Sequence, residues 1–242
     1  MIISHKHRYL FVEVPRTGST AISAELCEHY AGESILKKHA YYSTFLRQAS
    51  NDEKTYRVIS GVRNPLDDAV SNYRKLATRP RDYYSASRRN LKRYDHIHRD
   101  SLTFSDYFRT YYRYPFDHWT STYHRQFAKV VRFERLKEDF AEAIDMLGLS
   151  LVRPLPQKNK TNRKSDFASY YSAEDIKHAV WVFGPYMRDW GYQFPDEWPQ
   201  AEVPTSSAIL YKAMAGMRKV YWNDIRQSDN VVGRAFRKAF LN

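Results

Sequence analysis

Three groups of side chains in this sequence have the types and spacing that handle anions and protons. The first is Val14-Pro15-Arg16-Thr17-Gly18-Ser19-Thr20, which ends the β-prone stretch 9–14 and precedes a helical pattern. A short loop between a strand and a helix aims several backbone N–H groups at one spot, and the helix dipole adds positive potential there. Ser19 and Thr20 supply hydroxyl donors. Arg16 supplies a forked guanidinium suited to phosphate-like oxygens. The run is not G-x-x-x-x-G-K-[ST], because Gly18 is its only glycine. Ordinary helix capping by Ser19 or Thr20 explains the same residues equally well. The second group is Gly61-Val62-Arg63-Asn64-Pro65 with Ser71. Arg63 ends a strand and can grip a phosphate in bidentate fashion, and Ser71 in the following helix can donate to the same group. Taken alone, these are a surface arginine and a solvent-facing serine. The third is His39, in Lys37-Lys38-His39-Ala40 between the two anion motifs. An imidazole suits base chemistry near neutrality; the plainer reading is an exposed histidine among lysines. Glu13, near the first strand's end, is the reserve base, with a routine charged side chain as its plainer reading.

These residues need elements to hold them. The stretches 9–14, 56–62 and 129–133 are short and apolar, as buried strands are. Helical spacing follows each. Ile22, Leu26 and Tyr30 share one face over 21–30. Pro65 opens a helix through Ala69, Val70 and Tyr73 to about residue 76. Leu136, Phe140, Ile144 and Leu147 line a helix over 134–147, which Gly148 stops. Residues 79–99 form a basic, tyrosine-bearing excursion, partly helical, and 102–114 an aromatic-rich helix. The stretch 155–170 is a polar, basic loop, and 172–182 a helix capped by Ser172 with Asp175 in its first turn. Alternating strands and helices predict a three-layer, P-loop-like α/β fold with a central parallel sheet. That domain covers 1–195. Residues 196–242 are a proline-bearing linker and a basic helical extension packed on the domain.

The composition bounds the rest. The chain has 242 residues, of which 43% are hydrophobic, enough for one α/β domain with a substantial core. Its formal charge of +12 favours an anionic partner: nucleotide, acidic glycan, nucleic acid or anionic lipid. The single cysteine, Cys27, has no partner for an internal disulfide and fits a reducing, cytoplasmic setting. Nothing reads as a signal peptide, and no apolar window approaches a membrane span. His5/His7 and His96/His98 lack companion ligands, so no metal site is expected.

The order of the motifs is more telling than any one of them. It resembles the sulfotransferase family that uses 3′-phosphoadenosine 5′-phosphosulfate (PAPS), closest to its carbohydrate-type and bacterial branches. The P-[KR]-T-G-S-T loop is similar to that family's 5′-phosphosulfate loop, and R-N-P with S-x-Y to its 3′-phosphate site. Val131-Arg132-Phe133-Glu134-Arg135-Leu136, Asn159-Lys160-Thr161, Tyr170-Tyr171 and Asp189-Trp190-Gly191-Tyr192 resemble later segments, so the likeness runs from about residue 8 to 195. It implies a sulfuryl transfer from PAPS to an acceptor hydroxyl, on a carbohydrate or other small molecule, with PAP as product and no metal. Arg16, Thr17, Gly18, Ser19 and Thr20 would hold the 5′-phosphosulfate, Arg63 and Ser71 the 3′-phosphate, and Lys160 and Thr161 would close over the nucleotide. His39 would be the base. Arg16 stands where lysine is commoner and cannot donate a proton near neutral pH, which leaves it electrostatic stabilisation. Two other classes fit parts of the pattern. A P-loop kinase or NTPase lacks its Walker lysine here. A basic nucleic-acid-binding protein would explain the charge and tyrosines, without a recognisable binding motif; nucleic acid is therefore not the expected partner. The cationic tail, including Lys212, Arg218 and Lys219, offers peripheral membrane contact or, more simply, a helix packed on the domain.

Overall fold

The structure, a computed structural model, describes residues 1–117, 127–156, 166–199 and 202–220. The elements in chain order are β1 (Ile2–Ser4), β2 (Tyr9–Val12), α1 (Ser19–His29), β3 (Glu33–Ser34), α2 (Tyr42–Gln48), β4 (Arg57–Val62), α3 (Pro65–Thr78), α4 (Arg88–Arg99), α5 (Phe104–Tyr111), β5 (Lys129–Arg132), α6 (Leu136–Met146), α7 (Ala173–Trp190) and α8 (Thr205–Val220). The chain divides into two compact units. One takes the described residues of Met1–Arg63, His118–Thr161 and Met214–Asn242, the other those of Asn64–Asp117 and Asn162–Ala213.

The first unit is built on a five-stranded sheet in the order β3-β1-β2-β4-β5. β2, β4 and β5 are parallel, with Leu10 opposite Val58 and Gly61 opposite Val131. β1 pairs antiparallel with both β2 and β3. The expected parallel sheet is therefore mixed at one side, where Met1 to Arg8 folds back as a hairpin instead of leading passively into β2. Strand alternation sorts the side chains into two apolar layers. Ile2, Tyr9, Phe11, Ile59 and Val131 pack with α1 and α6 through Ile22, Leu26, Phe140 and Ile144. Ile3, Leu10, Val12 and Val58 pack with Met1, Phe45 and Tyr56, and so cover the sheet from the α2 side. Burial of both faces explains why β2 and β4 read as continuous apolar runs.

The second unit is helical, with one core drawn from α3, α4, α5 and α7. Ser172 and Asp175 form the expected capping box. Asp175 is fully buried and also accepts from Ser105 Oγ (2.9 Å) and Arg109 Nε (2.8 Å). Burial raises its pKa, and these bonds together with those from Ser172 lower it by more, so the carboxylate sits below its ordinary range. α7 runs to Trp190, well beyond the expected end near residue 182, straight through Pro185. Proline takes one N–H from a helix and orphans the carbonyl four residues back. That carbonyl, on Trp181, accepts a bond from Ser207 Oγ of α8. Gly184 leaves room for Val203, whose Cγ2 would lie 2.7 Å from any added Cβ. The helix thus continues through Gly184-Pro185 on its tertiary partners. Of the extension, α8 is described, and the tail beyond residue 220 lies outside the described residues.

Candidate functional site

The site gathers at the carboxyl ends of the parallel strands of the first unit, where open α/β sheets bind their ligands. After β2 the chain turns through Pro15 to Gly18 and enters α1. Gly18 is the N-cap residue, in left-handed conformation (φ 77°), and its carbonyl accepts from both Ala21 N (2.9 Å) and Ile22 N (3.2 Å). Ser19 and Thr20 thus lie in the first helical turn and do not cap it. That turn has neither a side-chain cap nor an acidic residue, so the positive end of α1 faces the loop uncompensated. Gly18 is needed twice over: for its backbone angle, and because an added Cβ would lie 2.7 Å from Leu136 Cδ2.

Thr17 is buried and its Oγ1 donates to Val14 O (3.0 Å), tying the loop across itself. What Thr17 offers an anion is therefore its backbone. Its side chain occupies the space that Gly61 of β4 leaves open: a Cβ on Gly61 would stand 2.7 Å from Thr17 Cβ and closer still to Oγ1. We predict that Gly61→Ala displaces the loop and destabilises the protein by about 1–3 kcal/mol. Urea unfolding monitored by circular dichroism measures the loss, and an unchanged midpoint would show that the loop accommodates the methyl freely.

Arg63 follows β4 and is 8% exposed. Its Nη1 donates to Arg16 O (3.2 Å), and its guanidinium carbon lies 4.2 Å from the centroid of the Phe133 ring. Phe133 begins a single 3-10 turn directly after β5. The ends of β2, β4 and β5 therefore meet around one guanidinium, which Phe133 stacks from beneath. Arg16 has a backbone φ of 68°, a left-handed conformation that non-glycine residues rarely adopt.

His39 lies in the turn before α2, also left-handed (φ 60°). Its Nδ1 is 2.9 Å from the carbonyl oxygen of Glu13. A carbonyl only accepts, so Nδ1 is the donor, and in the neutral ring the lone pair is on Nε2. A single backbone group beside the anion loop thus sets the tautomer a base requires. Strained backbone at both Arg16 and His39 is a pattern found at functional sites. Glu13 itself is not placed to act as a base. It is 3% exposed, and its carboxylate accepts from the Met1 ammonium (2.8 Å) and Ser23 Oγ (2.8 Å). Burial raises its pKa, but those bonds and nearby Lys38 bring it below the ordinary carboxylate range.

Ser71 is buried on α3 in the second unit, on a helix whose Asn64 cap accepts from Leu66 N (2.9 Å) and whose first turn carries Asp67 and Asp68. Lys160 and Thr161 lie outside the described residues. In the basic excursion, α4 is helical; Arg81 pairs with Asp95 and Arg99 with Asp100, and Arg93 stacks on Tyr111. Among the described residues, Glu25, Glu28 and His29 form a group of metal-ligand types. Arg153 engages both carboxylates, at 3.0 and 3.1 Å. Phe133 and Gly61 were not singled out as functional from sequence. The resemblance already marked both segments, and their roles emerge only from the packing.

A mostly parallel sheet with a strand–loop–helix at its carboxyl edge defines an α/β protein. Residues 1–183 match the family model described as "Sulfotransferase family", and the chain belongs to that family. No curated protein and no solved structure matches the chain. Family membership implies a transferase of sulfuryl groups. Among the described residues, no helix is long and apolar enough to cross a membrane.

Proposed function

We propose that the protein transfers the sulfuryl group of PAPS to a hydroxyl on a carbohydrate or other small molecule, by direct in-line displacement. The observation that carries this reading is the meeting of the Arg16 loop, the Arg63 guanidinium and the His39 imidazole at one edge of the sheet. In this P-loop-like arrangement the N–H groups of the loop and the first turn of α1, with Ser19, Thr20 and Arg16, hold the 5′-phosphosulfate. Arg63 and Ser71 hold the 3′-phosphate, and Lys160 and Thr161 close over the nucleotide. His39 Nε2 takes the proton of the acceptor hydroxyl as its oxygen bonds to sulfur. The bond from sulfur to the bridging phosphate oxygen breaks, and PAP leaves with that electron pair. Demands of this kind are met by positioning and fixed charge, so the scheme uses no metal. The one cysteine, exposed Cys27, suits a reducing compartment such as the cytoplasm, where PAPS and a soluble acceptor meet the enzyme.

Calorimetric titration with PAP, and with ADP as control, tests the donor. The two nucleotides differ in where the second phosphate sits. We expect PAP to bind at least about tenfold more tightly than ADP, the value of one well-made phosphate contact. Equal affinities would remove the 3′-phosphate site, and with it PAPS as donor.

A further inference from the structure

We propose that Lys38 is a ligand of the donor's 5′-phosphate, supplying the site with the ammonium that its loop lacks. The inference rests on the PAPS reading above. Lys38 is exposed and precedes His39 in the turn before α2. Its Nζ nevertheless reaches across to the first turn of α1, where it lies 3.2 Å from Thr20 Oγ1. Among the described residues this is the ammonium's only hydrogen bond, and no carboxylate pairs with it. An exposed lysine surrenders rotamer freedom to hold such a pose, and here its one hydrogen bond is to a neutral hydroxyl, with the buried Glu13 carboxylate near enough to feel its charge but not paired with it. The pose also brings positive charge to the positive end of a helix whose first turn contains no acid, an arrangement that costs energy unless an anion sits there. Arg63 Nη1 donates to the Arg16 carbonyl in the same loop, so a second cation is held beside it.

Chemistry gives the ammonium its use. Arg16 is a permanent cation whose fork is fixed in plane, whereas an ammonium has three N–H bonds about a compact charge. With one of them on Thr20, two remain to point at phosphate oxygens. During transfer the acceptor oxygen bonds to sulfur and its proton passes to His39 Nε2. The bond between sulfur and the bridging oxygen breaks, leaving its electron pair on the 5′-phosphate of PAP. Lys38 keeps its own proton throughout and donates hydrogen bonds to the phosphate as negative charge builds there. The same turn would then carry both functions in adjacent residues: His39 toward the acceptor and Lys38 toward the leaving group.

The test needs no acceptor. PAP and adenosine 3′-phosphate, which lacks the 5′-phosphate, are titrated into wild type, Lys38→Met and Lys38→Arg. We expect Lys38→Met to weaken PAP about tenfold and to leave adenosine 3′-phosphate unchanged, with Lys38→Arg within about threefold of wild type for both. Unchanged PAP affinity in Lys38→Met overturns the proposal while PAPS binding stands. So does an equal loss for both nucleotides, because it marks a general disturbance of the site. If wild type binds neither nucleotide, the donor assignment and the proposal fall together.

Discussion

Arg63→Ala is expected to lower affinity for PAP by roughly 30- to 150-fold, the value of a charge-assisted bidentate contact of about 2–3 kcal/mol, and to leave ADP binding within about twofold. The reasoning starts from where the side chain is held. Arg63 is nearly buried, backed by the Phe133 ring and tethered to the Arg16 carbonyl. A cation fixed in this way has lost its rotamer entropy on folding and loses little more on binding. Its tether to Arg16 raises the concern that alanine simply loosens the loop. ADP answers it: a loosened loop weakens both nucleotides, whereas a lost 3′-phosphate contact weakens PAP alone. Arg63→Lys, with the charge but without the fork, falls between the two. Calorimetry on the three proteins gives the comparison, and equal weakening of ADP would move Arg63 from ligand to scaffold.

The second large effect is on rate. His39→Asn is expected to slow PAP formation from PAPS about a thousandfold, within the range that general bases contribute, while PAP affinity stays within about twofold. Asparagine is the informative choice on two grounds. It tolerates the left-handed backbone that His39 adopts, and its amide N–H can still reach toward the Glu13 carbonyl now bound by Nδ1. The basic nitrogen is what it removes. Single-turnover PAP release, using the acceptor on which wild type is fastest, is the measurement. A variant as fast as wild type would assign proton removal to another group, and Glu13, locked between Met1 and Ser23, would be a poor substitute.

Much of this arrangement could be read before any coordinates. The three parallel strands, the loop into α1, Asn64-Pro65 opening α3 and the Ser172–Asp175 capping box all rest on local patterns, and all are present. What escaped reading depends on contacts far apart in sequence. The β1–β2 hairpin turns through His5-Lys6-His7-Arg8, which has no glycine, asparagine or proline to announce it, and β1 has only three residues. α2 is a seven-residue helix with no side-chain cap. α7 passes Pro185 because Ser207 takes the stranded carbonyl, a partner some two dozen residues away. At the site, motif order nominates candidate residues but not their postures. Nothing in the residue types of Arg16 or His39 foretells a positive φ. The link between Lys38 and Thr20 joins the turn before α2 to the first turn of α1, which lie far apart in sequence.

The discontinuous make-up of the first unit has a consequence during synthesis. β4 pairs on one side with β2 and on the other with β5, but Lys129–Arg132 leaves the ribosome long after Arg57–Val62. Until then a nascent chain that has already made β2 and β4 presents an unsatisfied ladder along β4, in a strand whose residues from Val58 to Val62 are apolar or small and buried in the finished fold. Such an edge is a template for pairing with another chain. All of α3, α4 and α5 is translated within that interval. The loop after β2 is translated early, but the Phe133 ring that backs Arg63 arrives only with the strand that closes the sheet, so the setting of Arg63 is completed at the step that also covers the β4 edge.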